Sequence, residues 1–232
     1  MKKIILIIFL LIIGVLPSFA GWKDGGYLSQ DQLVNTIDLI GAPPATDSLA
    51  FANDKAISES TFSIDKDSYR YQQAIHDATS DDSIIIADFS KAFGQKISEN
   101  DTPAIFKLLN KATIDVNNAK DIAKDFYKRK RPYVYFDRQP CDSSENPNSY
   151  AYPSGHSTRS WTYGLILAQL KPQNGEAILK VSKEKAESRV ICGVHWLSDI
   201  KASQTVAMSE FAVLQSNQQY KQDFHNAQKE LK

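Results

Sequence analysis

An all-α single domain is the fold class that this sequence predicts. Few segments alternate apolar and polar residues as half-buried strands do. Most stretches between Gly and Pro breaks instead carry apolar residues at helical spacing. No internal repeat, low-complexity tract or linker divides the chain.

The first predicted helix spans Gln30 to Ile40, after the polar start Ser29-Gln30-Asp31 and before the stop Gly41-Ala42-Pro43-Pro44. Ser48 to about Ser58 and Ser68 to Ala78 follow as helices. Ile84-Ile85-Ile86 is β-branched and suits a strand, but its continuation to Phe93 fits a helix better. Thr102-Pro103 opens another helix, with Pro at an allowed first-turn position. A long helical stretch runs from about Thr113 to Lys130. Pro132 ends it and biases Arg131 out of the helical region. Tyr133 to Pro153 is a loop rich in Asp, Ser, Asn and Pro. Ser157 to Leu170, Asn174 to Ser188 and Trp196 to Gln215 read as helices, with a break at Gly193. The polar tail from Gln218 to Lys232 also reads as helical.

The first twenty residues stand apart. Lys2 and Lys3 form a basic start, Ile4 to Leu16 is apolar, and Ser18-Phe19-Ala20 offers small residues for cleavage. This is the pattern of a secretory signal peptide cut after Ala20. The alternative is an uncleaved anchor, but the apolar run falls short of the ~20 residues that a span needs. Residues 21–232 are then one domain of ample length for a core. The chain has 27 basic and 27 acidic residues, and loss of Lys2 and Lys3 leaves a net charge of about −2 with His neutral. Without a basic excess, bulk electrostatic binding of nucleic acid is not expected. No later segment has the length and apolarity of a membrane span. An exported chain meets an oxidising compartment, so Cys141 and Cys192 are candidates for one disulfide. The alternative is two separate thiols, with Cys192 buried.

Three groups of residues carry chemistry. Lys124, Lys128 and Arg131 are spaced by four and three and share a helical face. Such a face concentrates cations for a phosphate dianion, with Arg supplying a planar fork and Lys a point charge. Taken alone, Lys128-Arg129-Lys130-Arg131 also reads as a solvated basic face. Next, Pro153-Ser154-Gly155-His156 stands just before a helix. Gly155 permits close backbone approach, the helix N-terminus presents unpaired N–H groups, and the Ser154 hydroxyl can add a donor. His156 is placed to protonate a leaving oxygen. Alone, this is also an ordinary capped helix junction. Last come Ser188-Arg189, His195 and Asp199. A helix puts His195 and Asp199 on one face, where the carboxylate fixes the imidazole tautomer and frees the other nitrogen as a nucleophile. The bland alternative is a surface His–Asp pair. His76 and His225 have no comparable neighbours and read as structural or exposed.

Together these residues resemble the phosphatidic acid phosphatase type 2 (PAP2) superfamily. The matching pattern is Lys124 with Arg131-Pro132, then Pro153 to His156, then Ser188-Arg189 with His195 and Asp199. Joint order and spacing make it far more specific than any one block. Within that superfamily the chain is similar to the bacterial class A non-specific acid phosphatases over nearly the whole mature length. Supporting segments include Tyr27-Leu28, Asn53-Asp54-Lys55-Ala56 and Phe89 to Gly94. The loop Tyr133 to Tyr152 departs more and is expected to shape substrate preference or the pocket rim.

The resemblance implies a helical bundle of the PAP2/haloperoxidase type, a periplasmic location and often a homodimer. It implies hydrolysis of small phosphomonoesters with no cofactor and no metal. His195 attacks phosphorus, Asp199 orients it, and His156 protonates the leaving alcohol and then activates water. Lys124, Arg131, Arg189, Ser154 and the Gly155 N–H hold the phosphoryl oxygens. An acidic optimum follows, because His156 must be protonated while His195 keeps a lone pair. Competing possibilities are a vanadate-dependent haloperoxidase-like activity, a phosphate- or nucleotide-binding protein without turnover, and a metal site built from His156, His195 and Asp199.

Overall fold

The computed structural model describes residues 22–142 and 145–232, so the predicted signal peptide lies outside the described residues. Every regular element among them is helical. Helices α1 (Thr36–Ile40), α2 (Leu49–Ser60), α3 (Tyr69–His76), α4 (Asp82–Ala87) and α5 (Ser90–Phe93) lead to the long α6 (Pro103–Tyr127). The short α7 (Pro132–Tyr135) and the loop after it precede α8 (Gly155–Leu170), α9 (Gly175–Ile191), α10 (Leu197–Leu214) and α11 (Gln218–Gln228).

Helix α6 is the axis of the fold. Pro103 starts it, and Ile105, Leu108, Leu109, Ala112, Val116, Ala119 and Ala123 form a buried stripe at helical spacing. Against that stripe lie α8, α10, α11 and α1. The largest apolar cluster joins Leu108 and Leu109 of α6 to Phe89, Phe93, Tyr163, Ile166 and Leu167. At about 1.5–3 kcal/mol per fully buried large apolar side chain, this cluster is the main favourable term holding the bundle.

Helices α8 and α9 pack most extensively. Gly164 permits it, since a Cβ there would lie 1.9 Å from Ser182 Oγ. Ser182 Oγ donates instead to the Ser160 carbonyl at 2.9 Å. This close pairing fixes the C-terminal end of α9 beside the N-terminal end of α8, where the candidate functional residues lie.

Five local features differ from the sequence expectation. The Gln30–Ile40 helix is broken into a 3-10 turn at Gln30–Gln32 and α1, because the Asn35 side chain caps Ile37 N–H and starts a new helix. Ile84-Ile85-Ile86 belongs to α4, with Ile85 and Ile86 buried. The helix that opens at Thr102-Pro103 and the stretch from about Thr113 are one helix, and α6 runs unbroken from Pro103 to Tyr127. It also ends earlier than Lys130: Lys128 takes a left-handed conformation (φ 48°, ψ 40°) and caps Lys124 O. That reversal turns Arg129 inward and leaves Lys128 exposed. Pro132 does hold Arg131 extended, at ψ 151°, and then opens α7 rather than a plain loop.

Candidate active site

The site forms where helix ends converge. Lys124 comes from the last turn of α6, and Arg131 from the link to α7. Ser154, Gly155 and His156 form the start of α8, Arg189 the last turn of α9, and Asp199 the first turn of α10. His195 lies in the turn between α9 and α10, which Gly193 permits at φ 75°. Arg131, Ser154, Arg189, His195 and Asp199 are all buried.

His195 and Asp199 do not share a helical face as their spacing suggested. His195 precedes α10, and Asp199 folds back over the helix start to accept the Trp196 N–H at 2.7 Å. The same Oδ2 stands 3.4 Å from His195 Nδ1. On the other side of the ring, Arg131 Nη1 lies 3.1 Å from His195 Nε2. A guanidinium has donors only, so Nε2 must present its lone pair and the ring proton sits on Nδ1, facing Asp199. Burial, followed by the cations Arg131, Lys124 and Arg189, lowers the His195 pKa well below the usual imidazole value. That shift favours the neutral imidazole, while Nδ1 itself has no hydrogen-bond partner among the described residues.

Asp199 is itself held from behind. Arg129 Nη1 is 2.5 Å from Asp199 Oδ1, and Arg129 Nη2 is 2.7 Å from Asp54 Oδ2. Ser198 N–H donates to Asp54 Oδ1 at 2.9 Å, and the Ser198 hydroxyl also reaches Asp54. The Arg129 guanidinium lies 5.3 Å from the Trp196 ring centroid, with Phe51 and Tyr152 close by. Burial pushes the Asp199 carboxyl up to about 7, while Arg129 and the Trp196 N–H favour its ionised form.

Three cations face His195. Lys124 Nζ donates to the Tyr150 carbonyl at 3.0 Å. Burial, then Lys120 and Arg131, lowers its pKa to about 7. Arg131 Nε donates to Ser149 Oγ at 2.9 Å. Arg189 is fully buried, and its Nε and Nη1 have no hydrogen-bond partner among the described residues. Its Nη2 meets the Glu145 carboxylate. Such an array of converging donors suits a multiply charged oxyanion.

The start of α8 faces the same space. Ser154 caps the helix: its Oγ accepts from Ser157 N at 3.4 Å and from Ser157 Oγ at 3.0 Å. Its own hydroxyl proton remains to be donated. Gly155 lies against Lys120, whose Cε would be 3.0 Å from an added Cβ. His156 Nε2 lies 3.0 Å from the Thr79 carbonyl, so this nitrogen carries a proton. Burial and then Arg189 and Arg159 lower the His156 pKa well below the usual value.

The structure thus brings Lys124, Arg131, Ser154, Gly155, His156, Arg189, His195 and Asp199 to one place. It does not bring Lys128 there. Ser188 turns away as well, donating to Asp77 Oδ2 at 2.5 Å in a network with Lys185 and Arg70. Sequence reasoning assigns no role to Arg129, which stands inside a basic run that reads as solvated, nor to its counter-ion Asp54, marked only within the supporting segment Asn53 to Ala56. It also passed over Glu145 and the Thr79 carbonyl. Among the described residues, the cluster of potential metal donors is His76, Asp77 and Asp88, away from this site. Lys185 Nζ already sits there, 2.7 Å from Asp77 Oδ1 and 2.5 Å from Asp88 Oδ2. Cys141 and Cys192 form the expected disulfide, with Cα atoms 4.7 Å apart.

Residues 107–222 match the PAP2 superfamily model. The chain is 35% identical over 209 residues to a non-specific acid phosphatase of Providencia stuartii, covering 88% of this chain and 84% of the relative. It is 34% identical to a non-specific acid phosphatase of Salmonella typhi, covering 100% of this chain and 93% of the relative. The fold is similar to the crystal structure of the first transmembrane PAP2 type phosphatidylglycerolphosphate phosphatase from Bacillus subtilis. That match has a TM-score of 0.53 at 18% identity, over 77% of this chain and 90% of the other. No helix among the described residues of the present chain is long and apolar enough to cross a membrane. With its all-helical fold and these relatives, the chain belongs to the PAP2 superfamily and, within it, to the non-specific acid phosphatase family.

Proposed function

We propose that this protein is a periplasmic acid phosphatase that hydrolyses a broad range of phosphate monoesters through a phosphohistidine intermediate. The observation that carries the reading is the polarised His195 ring. Its Nδ1 faces Asp199, its Nε2 lone pair faces Arg131, and the charges of Lys124 and Arg189 also act on the ring.

In the first step the phosphoryl group takes Arg131 away from Nε2 and exposes the lone pair. His195 Nε2 forms a bond to phosphorus as the bond from phosphorus to the ester oxygen breaks. His156 gives its proton to the departing alkoxide. The imidazole becomes a cation, which Asp199 stabilises across Nδ1. In the second step His156 takes a proton from water, the hydroxide oxygen bonds to phosphorus, and the P–N bond breaks. Inorganic phosphate leaves and His195 is neutral again. Phosphoryl transfer of this kind depends mostly on positioning and charge stabilisation, which Lys124, Arg131, Arg189, Ser154 and the Gly155 N–H supply. Protein cations carry that charge, so the proposal requires no metal. Burial is the larger cause of the lowered His156 pKa; a bound dianion offsets the part due to Arg189 and Arg159, raising its proton affinity when it acts as an acid.

The breadth of substrates follows from a cradle directed at the phosphoryl group rather than at the alcohol. The signal-peptide pattern and the Cys141–Cys192 disulfide support export. The homodimer is proposed on the family resemblance alone. The test is a hydrolysis screen of mononucleotides, sugar phosphates and aryl phosphates from acid to neutral pH, with and without chelator. The expected result is turnover of all three classes, strongest in acid and insensitive to chelator. Phosphate binding without hydrolysis, or activity that chelator abolishes, contradicts the proposal.

A further inference from the structure

Glu145 occupies a position that the proposed reaction does not use. One of its carboxylate oxygens pairs with Arg189 Nη2, and the other stands 3.4 Å from Arg131 Nη1. The carboxylate is largely buried, its side chain only 11% exposed. The neighbouring chain meets the remaining cations: Ser149 accepts from Arg131 Nε, and the Tyr150 carbonyl accepts from Lys124 Nζ. Groups from residues 145–150 therefore contact each of the three cations proposed to hold phosphate.

We propose that Glu145 is a specificity-determining residue, an internal carboxylate that competes with the substrate's phosphoryl group for Arg131 and Arg189. The inference rests on the cradle reading given above. A carboxylate is planar and singly charged, and it leaves Arg189 Nε and Nη1 without partners among the described residues. A phosphomonoester dianion brings three terminal oxygens and a second charge, so it can take the guanidiniums that Glu145 holds and engage the donors that Glu145 leaves unused. A phosphodiester or a simple carboxylate, with one charge and two terminal oxygens, lacks that advantage, whereas a phosphomonoester keeps three terminal oxygens even when it takes up a proton in acid. The competitor is also local. Cys141, four residues earlier, is bonded to Cys192, and four residues span at most about 14 Å. Tethering gives Glu145 a high effective concentration at the cradle, so weak monoanionic ligands are displaced first.

The test is direct titration of inorganic phosphate into the wild-type protein, Glu145→Gln and Glu145→Ala, with circular dichroism to check folding. In parallel, acetate is tried as an inhibitor of aryl phosphate hydrolysis. Phosphate binding should tighten about tenfold in both variants, equivalent to ~1.4 kcal/mol. The kinetic change should fall in KM rather than kcat, and acetate should become a competitive inhibitor of Glu145→Ala by taking the vacated position. Unchanged or weaker phosphate binding in a folded variant overturns the proposal. If the wild-type protein hydrolyses phosphomonoesters while binding is unchanged, only the role of Glu145 fails. If neither protein binds phosphate, the cradle reading fails with it. Tighter binding without turnover supports Glu145 as competitor and refutes the catalytic proposal instead.

Discussion

Arg129 Nη1 and Asp199 Oδ1 lie 2.5 Å apart, and both side chains are buried. Arg129 also neutralises Asp54, so one guanidinium compensates two carboxylates that have left water. Removing it strands both. Replacing Arg129 by Ala should cost about 3–5 kcal/mol of stability, the range for breaking a buried ion pair. Urea denaturation of the two proteins checks this. A loss under 1 kcal/mol would show that the pair does not hold the Asp199 shell together.

In the proposed mechanism Asp199, 3.4 Å from Nδ1, holds His195 in the tautomer that attacks. An Asn in its place can turn its NH₂ toward Nδ1, which favours the proton on Nε2 and removes the lone pair from the attacking position. Asp199→Asn should therefore lower kcat by roughly 10³–10⁴-fold, as tautomer disruption does in comparable His–Asp pairs. Steady-state kinetics with an aryl phosphate give the number. A drop below tenfold contradicts the orienting role.

The pH dependence follows from Lys124 and His156. Burial and neighbouring cations bring Lys124 down to about 7, so it is charged below that pH and neutral above it. In the proposed mechanism His156 acts as the acid, and its lowered pKa, due to burial and then Arg189 and Arg159, moves the protonated fraction toward acid. Both signs favour low pH. KM for a dianionic substrate should rise as pH passes 7, and kcat/KM should fall with it. A KM that stays flat from pH 5 to 9 would remove Lys124 from substrate binding.

The Cys141–Cys192 bond spans 51 residues and ties the loop carrying Glu145 and Ser149 to the end of α9. Cys141 N–H also donates to the Cys192 carbonyl at 3.0 Å. Loss of the cross-link, as Cys141→Ser with Cys192→Ser, should destabilise the protein by about 2–4 kcal/mol. The oxidised and double-Ser proteins are compared by urea denaturation. Equal midpoints would mean that the surrounding packing holds this loop without the bond.

The helical class was legible because long amphipathic stripes such as Ile105 to Ala123 carry a strong local signal. Helix ends were less so. Nothing local distinguishes Lys128 as a left-handed cap from a Lys continuing the helix, and that one residue decides which cations turn inward. Lys124, Arg131, Arg189, His156 and His195 could be read from their order and spacing. The roles of Arg129 and Glu145 could not, because each depends on partners far along the chain: Asp54 and Asp199 for one, Arg189 for the other. The His195–Asp199 spacing suggested a contact that the structure contains, but through a helix-start turn rather than a helical face.

In the proposed mechanism His195 Nε2 takes the phosphoryl group. The most direct measurement is rapid alkaline quench during turnover of a ³²P-labelled phosphomonoester, followed by digestion and peptide mapping. The predicted result is one labelled peptide carrying His195, with the label stable in base, lost in acid and absent from a His195→Ala protein. Full turnover with no protein-bound label, or label on any other residue, would contradict the account.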